Sequence, residues 1–170
     1  MPVSQPTDIC FQASSNAIQI GNLAVGGKHP VRIQSMLTTN TLDTVATVTQ
    51  CIHLVEAGCE LVRITTTGIK AAENLFNIKT ELRNKGIQVP IIADIHFNPK
   101  AAEVAAQMVE KVRINPGNYV DRNKGKVDYT EKEYQLELEK IAERLSPLLA
   151  ICKKNGTAIR IGTNYGSLSE

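Results

Sequence analysis

Four arginines in this chain share one setting, between two β-branched residues: Val31-Arg32-Ile33, Val62-Arg63-Ile64, Val112-Arg113-Ile114 and Ile159-Arg160-Ile161. Such flanks favour strands, and side chains along a strand point alternately to opposite faces. If Val62 and Ile64 pack under helices, Arg63 points the other way, and the same holds for Arg113 and Arg160. Two residues further along that face come Thr65, Asn115 and Gly162, and another two bring Asn164. Asp94 and His96 follow the same register, flanked by Ile92 and Ile95. Arg32 lies early in its strand, so a structural role is expected of it.

A guanidinium turned into a protein interior is costly to desolvate unless an anion meets it. Asp94 is one carboxylate against Arg63, Arg113 and Arg160, and this imbalance predicts a bound anion. Phosphate is the natural candidate, because the planar arginine fork holds it bidentately. His96 is a candidate acid–base group or substrate donor. Asn115-Pro116-Gly117-Asn118 has turn composition and could present backbone N–H groups to an anion. Gly162 and Gly166 permit close backbone approach, while Asn164 and Ser167 supply hydrogen-bonding groups. Gln34-Ser35-Met36 could line the same mouth. For a single triplet, an arginine reaching outward to a surface acid is the better reading. Three at matching strand positions, each followed by a small or polar residue, favour the inward row. His29 and His53 are expected on the surface.

The elements that must position these groups alternate. A preface over residues 1–30 contains two short β-like runs, expected to join at Gly26-Gly27. Strands are then expected at 31–36, 60–66, 89–95, 111–115 and 157–162. Between them, helices are expected from Asp43 to Ala57, Lys70 to Asn84, Pro99 to Met108 and Glu131 to Asn155. Val45, Val48, Ile52 and Val55 give the first its three-and-four spacing; Asp43 suits its N-cap and Gly58 its C-terminal cap. Pro147 is expected to break or kink the last. Strands alternating with helices imply a parallel sheet with crossover helices. Strand-end chemistry and the lack of a Gly-x-Gly-x-x-Gly turn favour a barrel over an open doubly wound sheet. The fold class expected is therefore α/β, the N-terminal portion of a TIM (β/α)8 barrel, with about five parallel strands behind an N-terminal β-hairpin. A full barrel takes about 250 residues, so residues 31–170 are expected to form an incomplete one.

The bulk numbers exclude several classes. The 170 residues carry 19 basic and 17 acidic side chains, net +2, too even a balance for nucleic acid or a membrane surface as main partner. No apolar run reaches the roughly 18 residues of a membrane span. MPVSQPTDICFQ lacks a basic region followed by an apolar stretch, so a cytoplasmic location is expected. Cys10, Cys51, Cys59 and Cys152 show no C-x-x-C spacing; buried free thiols are expected, and no metal site.

QSM at 34–36, LVRIT at 61–65, ADIHF at 93–97, VRINPGN at 112–118 and RIGTNYGSLSE at 160–170, with IGNLAVGG at 20–27, resemble in this order the 4-hydroxy-3-methylbut-2-enyl diphosphate synthase family. The resemblance covers nearly the whole chain. It implies an iron–sulfur oxidoreductase acting on CH or CH2 groups, which opens 2-C-methyl-D-erythritol 2,4-cyclodiphosphate reductively, with loss of water, in non-mevalonate isoprenoid (terpenoid) biosynthesis. It implies a [4Fe-4S] cluster held by three cysteines and a glutamate on a separate C-terminal domain, absent from this chain. The fragment is therefore expected to bind no cofactor and to be inactive alone. Ferredoxin or flavodoxin is implied as electron donor, and a homodimer for the full-length protein. By match to the motifs, Arg63, His96, Arg113, Asn115, Arg160 and Asn164 would contact the substrate, and Ser167 lies in the last of those motifs. Asp94 would orient neighbours or assist hydrogen bonding, and with His96 forms the implied catalytic pair. The stretch at 119–140 resembles a long form of the family with an additional middle domain. Tyr165 stands where other members often carry His or Ala. The alternatives are a barrel of the pteroate synthase type, or a non-catalytic anion-binding module.

Overall fold

A computed structural model describes residues 15–95, 97–119 and 128–163. A hairpin comes first, β1 (Ile18–Ile20) against β2 (Leu23–Val25). Five parallel strands follow: β3 (Gln34–Met36), β4 (Leu61–Thr66), β5 (Ile91–Ile95), β6 (Lys111–Ile114) and β7 (Ala158–Ile161). They lie side by side in chain order. The connections hold α1 (Thr44–Glu56), α2 (Ile69–Asn84), α3 (Pro99–Ala105), the single turn α4 (Pro116–Tyr119) and α5 (Glu131–Asn155).

The helix boundaries follow from local chemistry. Asp43 caps α1, its carboxylate accepting from the Ala46 N–H at 3.0 Å, and Gly58 leaves the helix at φ 94°. Pro99 opens α3, where its missing N–H costs nothing. Thr130 and Glu133 form a reciprocal capping box on α5, which ends at left-handed Gly156. The expected break at Pro147 is not present: α5 runs through it as one helix. Having no N–H, the proline cannot donate to the Glu143 carbonyl.

Two other expectations need correction. The hairpin turns at Gly21-Asn22, with Gly21 at φ 57°, and not at Gly26-Gly27, which follow β2. The first parallel strand is shorter than expected, because residues 31–33 precede the start of its neighbour. The Glu60 carboxylate takes the Ile33 N–H at 2.9 Å in place of a ladder partner, and Val31 is left exposed. Arg32 is structural, as expected: it donates to Glu60 at 2.8 Å and to the Ala24 carbonyl at 3.1 Å, tying hairpin to sheet.

The core lies on one side of the sheet. Val62, Ile64, Ile91, Ala93, Ile95, Val112 and Ile114 bury against Val48 and Cys51 of α1, Leu75, Ile78 and Leu82 of α2, Ala101, Ala102 and Ala105 of α3, and Leu148 and Cys152 of α5. Each fully buried Leu or Ile contributes about 1.5–3 kcal/mol. The opposite face carries a small apolar cluster at its lower end only, where Leu61, Ile92 and Ala158 meet Ile20, Leu23 and Val25 of the hairpin. Helices on one face and strands in sequential order are a barrel's arrangement; a doubly wound sheet reverses its order and is covered on both faces.

Candidate functional site

The register fixes what the uncovered face presents. Residues alternating with the buried valines and isoleucines are Arg63 and Thr65 on β4, Asp94 on β5, Lys111 and Arg113 on β6, and Arg160 on β7. Asn115 and Gly162 continue the last two strands on the same face. Asp94 pairs across the ladder with Thr65 on one side and Arg113 on the other, and Arg113 pairs with Arg160. The expected inward row is therefore formed by the described strand ends.

Asp94 is its centre. It is 1% exposed, and its carboxylate spans two arginines: Oδ2 to Nη2 of Arg63 at 2.6 Å and Oδ1 to Nη1 of Arg113 at 3.3 Å. A buried carboxylate shared in this way fixes both forks. Arg113 also donates to the Gly162 carbonyl at 3.2 Å. Its guanidinium lies so close over Gly162 that a Cβ there would sit 2.9 Å from Nη2, and closer still to Nε. Glycine at 162 thus makes room for the Arg113 side chain. Arg63 keeps its Nε–H buried with no acceptor among the described residues. Arg160 is exposed and forms no ion pair among them.

The strand ends are held from outside. The Thr41 hydroxyl donates to the Thr65 carbonyl at 2.5 Å, and Asn74 of α2 donates to the Thr41 carbonyl at 2.7 Å. Asn115 is 5% exposed and starts α4: its Oδ1 accepts from the Gly117 N–H at 3.2 Å, and its carbonyl from the Tyr119 N–H at 2.9 Å. The amide of Gly117 is thus engaged by Asn115. At the end of β5, Phe97 takes φ 57°, the single non-glycine at positive φ among the described residues. A bulky side chain in that region is strained, which marks the turn after Asp94 as a constrained one. His96, Asn164, Tyr165, Gly166, Ser167 and Cys10 lie outside the described residues. His29 and His53 are exposed, as expected.

Three charged residues escaped the triplet pattern. Lys111 stands two before Arg113 on the same face, and the alternation that placed Arg113 places it too. Burial first, then repulsion by Arg160 and Arg63, lowers its pKa below the usual lysine value. Glu60 and Glu110 sit just before β4 and β6 and bind the start of the preceding strand. Glu110 accepts from the Ile91 N–H at 2.8 Å and pairs with Lys79 at 2.7 Å and Arg83 at 3.4 Å.

The uncovered face thus sets Arg63, Lys111, Arg113 and Arg160 against the single carboxylate of Asp94 among its described strand residues. That charge suits a compact, multiply charged anion. The described cysteines do not fit an iron–sulfur cluster. Cys51, Cys59 and Cys152 are buried. Burial pushes the Cys51 thiol up to about 12 and that of Cys152 to about 11, away from the thiolate a metal requires. Among the described residues, no group of three or more His, Cys, Asp or Glu side chains could hold a metal ion. No helix among them is long and apolar enough to cross a membrane.

Comparison with known proteins agrees with the geometry. The GcpE TIM-barrel domain family matches residues 15–170. A 4-hydroxy-3-methylbut-2-en-1-yl diphosphate synthase (flavodoxin) of Bacteroides thetaiotaomicron is 56% identical over 162 residues, 94% of this chain and 26% of that protein. Proteins of the same name from Akkermansia muciniphila and Chlorobaculum tepidum are 51% and 49% identical, over 90% of this chain and 26% and 21% of their own lengths. The chain thus spans about a quarter of the length of these relatives. With the arginine-lined strand ends, the sequential parallel sheet and a match over residues 15–170, the chain belongs to the GcpE TIM-barrel domain family.

Proposed function

We propose that this chain is the substrate-holding part of a 4-hydroxy-3-methylbut-2-enyl diphosphate synthase. In the complete protein it would bind 2-C-methyl-D-erythritol 2,4-cyclodiphosphate for reductive ring opening in isoprenoid biosynthesis. The supporting observation is the buried Asp94 carboxylate between the forks of Arg63 and Arg113, on a face where cations outnumber it. A cyclic diphosphate brings the negative charge that this face lacks. Asp94 acts as a positioning residue: it sets both guanidiniums before the ligand arrives, so little is lost in ordering them on binding. Arg160, at the open end of the row, and Asn115 complete the contacts among the described residues. His96, Asn164 and Ser167 are proposed as further contacts, His96 as the acid–base group.

The reducing centre belongs elsewhere. Since the described cysteines do not fit a cluster, the [4Fe-4S] group is assigned to a further domain of the complete protein, outside this chain. Flavodoxin is the proposed electron donor, as in the relatives' names, with ferredoxin the alternative. A cytoplasmic homodimer is proposed for the complete protein. Residues 1–30 are proposed to serve as the hairpin preface and 31–170 as part of the barrel.

The test is anion affinity, read by titration calorimetry with inorganic pyrophosphate. Arg113→Ala is expected to weaken binding by about 1.5–3 kcal/mol, the range for a charged hydrogen bond. Unchanged affinity would remove Arg113 from the site. The chain alone is expected not to turn over the cyclodiphosphate with a chemical reductant; turnover would overturn the assignment of the reducing centre to another domain.

A further inference from the structure

Lys111 has no part in the site proposed so far. It opens β6 two residues before Arg113, so both side chains leave the strand on the same face. The ladder sets Ile92 opposite Lys111 on one side and Ala158 on the other, and Ile92 is in turn opposite Arg63. Arg63 and Lys111 therefore stand in one row across the sheet, with an apolar residue between them. Below them Ile20, Leu23 and Val25 of the hairpin pack against the sheet. Lys111 is half-buried, and the influences on its charge are burial and repulsion by Arg160 and Arg63, with no hydrogen bond or ion pair to a described residue. The charged groups of the face around it are Arg63 from β4, Asp94 from β5, Arg113 from its own strand and Arg160 from β7. Asp94 is engaged with Arg63 and Arg113.

We infer that Lys111 is a fourth cationic contact of the anion site, an ammonium kept without a protein partner to meet an oxygen of the same multiply charged phosphate ligand. The inference rests on the proposed anion-holding role of Arg63, Asp94 and Arg113. The chemistry divides sensibly: arginine forks take paired oxygens, whereas an ammonium is a compact point charge with three donors that suits a single oxygen.

The lowered pKa of Lys111 gives the inference a second readout. Between the folded and the unfolded pKa, the unfolded chain binds more protons. Stability therefore rises with pH through that window, and a charged Lys111 opposes folding at neutral pH when no anion is present. An arriving anion favours the charged form and reverses this. Removing the charge should thus move stability and affinity in opposite directions, which loss of a packing residue would not do.

The experiment is titration calorimetry of the full chain with inorganic pyrophosphate at neutral pH. Wild type, Lys111→Met, Lys111→Arg and Arg113→Ala are compared, with thermal melts beside them. Lys111→Met is expected to lose at least about tenfold in affinity and to melt no lower than wild type. Lys111→Arg keeps the charge and should retain most of the affinity. If Lys111→Met binds as tightly as wild type while Arg113→Ala is weakened, the inference is overturned and the proposed function stands. If wild type binds no pyrophosphate, or Arg113→Ala binds as tightly as wild type, the anion reading fails and takes this inference with it. A Lys111→Met chain that melts lower or fails to fold also overturns it, since the lysine would then be holding the fold.

Discussion

Gly162 and Asp94 hold Arg113 from two sides, one by making room and one by charge. The consequences of changing them differ. Gly162 is not at positive φ, so alanine costs its backbone little, but the new Cβ would occupy the place of the Arg113 guanidinium. Gly162→Ala is therefore expected to reduce pyrophosphate affinity about tenfold or more. A variant with full affinity would mean that the Arg113 position seen here is not the binding one. Asp94→Asn leaves two guanidiniums with no carboxylate between them. Breaking a buried pair by removing one partner costs about 3–5 kcal/mol, so this variant should show its main effect in urea unfolding. At this scale most of the site was legible in the sequence. Strand alternation alone assigned Arg63, Arg113, Asp94 and Asn115 to one face. Lys111 was equally legible, but an arginine-centred pattern passes over it. The close approach of Arg113 to Gly162 was not legible in detail, because it depends on the spacing of two strands 49 residues apart in the chain.

Among the elements, caps and breakers were readable where a residue acts on its own backbone. Asp43, Gly58 and Pro99 each stop or start a helix by local chemistry, and each does so where expected or close to it. Errors arose where the deciding partner is distant. Gly26-Gly27 has stronger turn composition than Gly21-Asn22, yet the hairpin folds at the latter. There Gly21 lies against Glu110 so closely that a Cβ would come within 2.7 Å of its Cγ. The early end of β3 is set by where β4 begins and by the Glu60 side chain. Glu60 and Glu110 play parallel parts, each fastening the start of one strand to the next. The Glu60 carboxyl is held below the usual range by the Ile33 N–H first and Arg32 second. A depressed acid pKa adds stability above the unfolded value and loses it as pH falls through the folded one. Glu60→Gln should therefore flatten the acid limb of the stability–pH curve; an unchanged limb would show that the Ile33 contact is not maintained in solution. Glu110→Ala removes the Ile91 contact and two ion pairs at the lower end of the sheet. It is expected to cost about 1.5–3 kcal/mol in stability, read by urea unfolding.

The described residues form a sheet with two open edges. Among the described residues, β3 and β7 each have one neighbour, so each presents a row of unpaired backbone N–H and C=O groups. Nearby apolar side chains are also uncovered: Met36 on β3 and Ile161 on β7 are 41% and 66% exposed. Ile161 belongs by register to the face that elsewhere lies under helices, so its exposure marks a place where the helical layer does not reach. Unpaired parallel edges with apolar residues beside them template further pairing unless something covers them. Charge gives weak opposition, since a net +2 over 170 residues repels little. The 170-residue chain is therefore expected to associate with itself as concentration rises, and sedimentation velocity over about 5–200 µM would display this as a rising weight-average mass. Pyrophosphate should change this little, because an anion on the inner face covers neither edge. A mass that stays monomeric across that range would mean that residues outside the described ones already cover β3 and β7.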